Sequence, residues 1–215
     1  MLTEGQTERH GHTVAAHSNL DHLHVLLTHM RLDWLLNHFP PRLVWAVYVS
    51  INGFVTIGLL ALLALLTGSP FVFPSLGPTA YLFFFSPLAE ASSPRNTILG
   101  HAIGLICGYA AFALTAAYMP PFATHGGIHG PRVLAAALSL SATGALMALF
   151  KVSHPPAGAT TLIVSLGIIS QPRELLIIEV AVVLLTAQAL AINRLAGLPY
   201  PLWRSTKLPS PITQT

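Results

Sequence analysis

Apolar and polar residues fall in blocks along this chain. Six apolar segments, 43–67, 74–88, 97–119, 132–150, 155–169 and 174–193, are separated by short links rich in polar residues, Pro and Gly. A helix needs roughly 17–25 residues to cross the hydrocarbon of a bilayer. Four segments reach that length. The second and fifth have about 15 residues, or ~22 Å as a helix at 1.5 Å per residue, and each opens with Pro and Gly among small residues. They either re-enter or cross partly as non-helical chain. Irregular backbone is tolerated in a membrane only where protein buries it or a wet cavity borders it. Before the first segment the period changes. Leu20, Leu23, Leu27, Met30 and Trp34 share one stripe at helical spacing. Ser18 or Asn19 can cap that helix and Pro40-Pro41 end it. The pattern predicts a disordered stretch 1–17, an amphipathic interfacial helix 18–41, a transmembrane domain 42–195 and a tail 196–215.

Composition strengthens the membrane reading. The chain is 53% hydrophobic and 8% charged, against about 25% charged in a soluble domain. The expected class is an all-α membrane protein, a bundle of about six apolar segments. The net charge of +3 is small and the basic residues are scattered, so no nucleic-acid partner is expected. A single cysteine, Cys107, excludes an internal disulfide. The first 19 residues lack the apolar core of a signal peptide. Six crossings from a cytoplasmic N-terminus put Arg9, Arg31, Arg42, Arg95, Lys151, Arg194, Arg204 and Lys207 inside, and Arg132 and Arg173 outside. Re-entrant short segments give seven against three. The positive-inside rule mildly favours six crossings, with a bacterial plasma membrane as the expected location.

The two halves echo each other. "SLGPTAYLFFF" (75–85) aligns with "PAGATTLIVSL" (156–166), and "SPRNTILGH" (93–101) with "QPRELLIIE" (171–179). Three segments per repeat is an odd number, so six crossings make the repeats inverted. Paired short, Gly/Pro-interrupted segments mark the midplane site of many transporters.

Pro155-Pro156 suit a first helical turn, and His154 before them is biased away from helical geometry; it is a candidate anion ligand that takes up a proton with the anion, or else a structural cap for the turn. A half-helix is therefore expected from about Pro156, with Gly158, Ala159, Thr160 and Thr161 letting a ligand approach its amides. A helix N-terminus of this kind accepts anions, and threonine hydroxyls add donors. Ser75, Gly77 and Thr79 offer the same chemistry from the other half. The alternative role for the small residues is close helix contact.

These stretches, "HPPAGATTLI", "PSLGPTA" and "SPRN…GH", resemble the HPP family of integral membrane proteins over about residues 43–193. The resemblance implies nitrite transport. It also implies four spans, fewer than the six crossings expected from the residues. Some members carry a C-terminal soluble domain, whereas about 20 residues follow the last span here.

Ionisable residues inside apolar segments are functional hypotheses. His101 and Glu179, each six residues after an arginine, are candidate proton stations on opposite sides of a site, and Arg95 is a candidate gating cation. Each also has a bland role, as a packing contact or a topology charge, and Lys151 reads as a topology charge. Asn52, Gln188 and Asn193 suit interhelical hydrogen bonds. Gly100, Gly104 and Gly108 suit a close helix contact, within or between subunits. "HGH" (10–12) and "HLH" (22–24) read as solvated histidines before they read as zinc or copper ligands.

No H-E-x-x-H, G-x-S-x-G or P-loop is present, so neither an enzyme nor a cofactor is expected. The leading expectation is transport of a small inorganic anion, alone or with a proton, by a monomer or a homo-oligomer. The alternatives are a non-transporting sensor or assembly subunit and, less well supported, a metal-cation transporter. Glu179 is the only acid well inside a segment.

Overall fold

The computed structural model describes residues 31–116, 118 and 130–205. The predicted disordered stretch, most of the interfacial helix, the "HGH" and "HLH" motifs and the end of the tail lie outside the described residues. The described residues form seven helices and no strand: α1 (Leu32–His38), α2 (Pro41–Thr67), α3 (Leu76–Phe85), α4 (Pro94–Ala116), α5 (Gly130–Leu149), α6 (Ala157–Ser165) and α7 (Pro172–Leu195), with a 3₁₀ turn at Glu90–Ser92. Four of them, α2, α4, α5 and α7, are long and apolar enough to cross a membrane. The two remaining apolar segments fold as the short helices α3 and α6.

Proline and glycine set these boundaries. Pro41 and Pro172 occupy the first turns of α2 and α7, where a missing N–H costs nothing. Gly68 ends α2 at φ 62°, and Gly167 follows α6 at φ 78°, both in the left-handed region that side chains resist.

Burial separates inner from outer helices. The apolar window of α4 is 44% buried and that of α2 only 11%. α4 is therefore central and α2 peripheral. α7 and α5 repeat that contrast, at 33% and 17%. The core between them holds Leu60, Phe83, Phe84, Ile178, Val182 and Leu185. Each half thus runs peripheral helix, short helix, central helix. The short helices begin 81 residues apart, at Leu76 and Ala157, and the central ones 78 apart, at Pro94 and Pro172.

The glycine face of α4 is filled from within the chain. A Cβ at Gly104 would lie 2.8 Å from the carbonyl oxygen of Ala157, and one at Gly108 2.7 Å from that of Thr161. Only glycine lets α6 lie this close along α4. The tail also has a defined place as far as Ser205. Tyr200 is fully buried, and its hydroxyl donates to the carbonyl of Ser92.

Candidate functional site

The short helices meet at their N-terminal turns. Ser75, at the start of α3, shares a hydrogen bond with Thr160 of α6, Oγ to Oγ1 at 2.7 Å. One turn into α3, Thr79 donates to the carbonyl of Ser75 at 2.9 Å. Its oxygen also lies 3.0 Å from Nε2 of His101 and 3.2 Å from Nε2 of His154. His101 projects from the middle of α4, and its Nδ1 is 2.7 Å from Oγ1 of Thr160. The two imidazoles approach Nε2 to Nε2 at 3.2 Å. Ser75, Thr79, His101, His154 and Thr160 are all at most 1% exposed. Beside them Thr143 of α5 donates to Thr161 at 3.1 Å.

Local sequence explains how His154 gets there. Lys151, at φ 52°, turns the chain sharply after α5. Arg95 clamps that turn: its guanidinium donates to the carbonyls of Lys151 at 2.8 Å and Phe150 at 3.0 Å. These are carbonyls a helix C-terminus leaves unsatisfied. Gly100 then makes room, since a Cβ there would lie 2.7 Å from Cβ of His154. On its far side the His154 ring is held by the carbonyl of Ala91, 2.7 Å from Nδ1. Tyr200 braces the adjacent Ser92.

The structure brings together Ser75, Thr79, His101, His154 and Thr160, with Thr161 alongside. Gly77 is exposed on the outer face, in a groove shared with Gly53, Gly58 and Tyr81, away from the cluster. Gly158 and Ala159 are half-buried, with Gly158 facing Leu140 of α5. The expectation of free amides at the start of α6 does not hold. The N–H groups of Ala157, Gly158 and Ala159 donate to the carbonyls of His154, Pro155 and Pro156 at 2.9–3.1 Å. A turn before the helix consumes them, so the cluster's donors are hydroxyls and imidazoles. Arg95 serves the α5–α6 turn rather than the cluster. Glu179 is half-buried on α7, and both its carboxylate oxygens are buried without a hydrogen-bond partner among the described residues. It therefore does not join His101 in one network.

Of the amides, Asn193 does link helices, accepting from Tyr48 at 2.7 Å and donating to the carbonyl of Phe83 at 3.1 Å. Asn52 instead bonds the carbonyl of Tyr48 on its own helix, and the side-chain oxygen of Gln188 is buried without a partner among the described residues. Sequence reasoning missed Thr143, the carbonyl of Ala91 and Tyr200. Tyr200 had one visible signal, an aromatic residue between Pro199 and Pro201 just past a span. The described residues contain no group of three or more metal-ligating side chains.

Residues 39–201 match the family model described as "HPP, transmembrane region". No curated protein and no solved structure matches the chain.

Proposed function

Because the chain belongs to the HPP transmembrane family, we propose that it carries a small inorganic anion, nitrite first, across a membrane. The observation carrying this reading is the buried meeting of two short-helix N-terminal turns at Ser75 and Thr160, lined by hydroxyl and imidazole groups. Both helices aim their positive ends at that point. The order of helices in each half, and the offsets of 81 and 78 residues, support two units of opposite orientation related by an axis in the membrane plane. On this reading α3 and α6 complete six crossings, with the N-terminus in the cytoplasm of a bacterial cell.

Energetics constrain the mechanism. A bare anion in low dielectric costs tens of kcal/mol, and a helix terminus returns ~2 kcal/mol at best. The cluster is sealed from solvent, and its hydroxyls and imidazoles already bond one another. An anion must therefore open the network, keep part of its water, or bring a compensating positive charge.

The test is initial uptake by purified protein in liposomes, compared across nitrite, nitrate, formate and chloride. Nitrite uptake well above protein-free vesicles supports the reading. Uptake of none of the four overturns it and favours a sensor or assembly subunit. Removing residues 1–30 sharpens the choice, since transport survives that loss and a role centred on the histidine-bearing N-terminus does not.

A further inference from the structure

We infer that the cluster takes up its anion together with one proton, and that this proton lands on Nδ1 of His101 rather than on His154. The inference rests on the anion-transport reading and follows from the direction of each hydrogen bond.

The carbonyl of Ala91 can only accept, so Nδ1 of His154 carries a hydrogen, and its Nε2 is a bare acceptor in the neutral ring. Nε2 of His101 lies 3.2 Å away. Two bare nitrogens would repel across that gap, so Nε2 of His101 carries the hydrogen between them. The hydroxyl of Thr79 is committed to the carbonyl of Ser75, which leaves its oxygen to accept from the same N–H. Nδ1 of His101 is then bare and accepts from Thr160. Thr160 in turn accepts from Ser75. The N–H of His101 is thus shared between His154 and Thr79, and the chain of hydroxyls runs one way, from Ser75 through Thr160 to His101.

A further proton has one place to go. On Nε2 of His154 it would face the N–H of His101 head-on across 3.2 Å. On Nδ1 of His101 it forms a new N–H and breaks no other bond to hydrogen. The ring becomes cationic and donates to Thr160. Thr160 must then turn its hydroxyl to Ser75, and Ser75 must find a new acceptor. An anion at the start of α3 fills that role, and its charge offsets the imidazolium. The proton and the anion thus require each other.

Among the described residues, hydrogen bonds reach the His101 ring only from Thr79, Thr160 and His154, and Phe73 stands edge-on at 6.3 Å. Glu90 of the 3₁₀ turn, Arg95 of α4, Arg132 of α5, Lys151 of the following turn and Glu179 of α7 make no hydrogen bond with it.

The experiment is ¹⁵N-histidine NMR of the full chain in bilayers, acidified with and without nitrite. The expected result is a neutral state with His154 protonated on Nδ1 and His101 on Nε2. Nitrite should then promote double protonation of His101 first. A His154 protonated on Nε2, or titrating first, overturns the assignment. A His101 titration indifferent to nitrite overturns the coupling. Because this readout needs no transport, its failure is distinct from absent liposome uptake, which overturns the transport reading itself. In liposomes, Thr160→Val should cut nitrite uptake at least tenfold and Thr160→Ser should restore it. Equal loss in both removes the relay.

Discussion

The two short helices share a place in the chain's internal echo but not a mechanical role. α6 is wedged against the glycine face of α4, with backbone atoms where side chains would otherwise stand. α3 has no comparable seat: nothing lies within 4 Å of a Cβ built at Gly77, and Pro78 is exposed. In the aligned triplets Gly77-Pro78-Thr79 and Gly158-Ala159-Thr160, only the threonines reach the buried cluster. The small residues before them face outward on α3 and toward α5 on α6. Two similar sequences thus give one half-site seated through its backbone on a glycine face and one held by hydrogen bonds and by buried side chains, Leu76, Ala80, Phe83 and Phe84.

The largest effect should come from unseating α6. Gly108→Leu drives a side chain into the Thr161 carbonyl and the Val164 side chain, and overpacking of this kind costs about 3 kcal/mol. The expected outcome is loss of monodisperse protein on size exclusion. Normal yield and melting temperature would show that α6 is no better seated than α3.

Cutting the link between the halves should come next. Thr160→Val leaves Ser75 and His101 each short of a buried partner, and an unmet buried group costs ~1–3 kcal/mol. Thermal unfolding in detergent should register about 2 kcal/mol, with the protein still folded. An unchanged melting point would mean that the two turns do not depend on this contact.

A smaller change tests what holds α3 at its other end. Asn193→Leu removes the acceptor for Tyr48 and the donor to Phe83, a loss of ~1 kcal/mol. If Tyr48→Phe in the same background adds nothing further, the two residues act through that one bond. Additive losses would separate them.

The smallest effect is expected at Gly77. It is the second residue of α3 with open space beyond its chain neighbours, and it precedes Pro78, where a Cβ is disfavoured in helical geometry. Gly77→Ala should lower the melting temperature slightly. An unchanged or higher melting temperature would show that this glycine is not needed for the start of α3.

The hydrophobic pattern alone determined a great deal here. Segment positions, the two short helices and their Pro/Gly openings were all legible, because membrane length requirements and backbone satisfaction act locally on sequence. The close contact of Gly100, Gly104 and Gly108 was legible too, since helical periodicity puts them on one face. The sequence left open what that face touches: within the chain, it is α6 and the turn before it. Ser75, Thr79, His101, His154 and Thr160 could be named as separate candidates, but their union could not. It depends on a left-handed Lys151, an arginine clamp 56 positions back in the chain, and a glycine with no side chain beneath His154. Glu179 shows the converse. Its repeat position matches that of His101, yet it makes no hydrogen bond to the same network. A sequence echo concerns local stretches of chain. Which side chains meet is decided by contacts that differ between the two halves, and those exist only after folding.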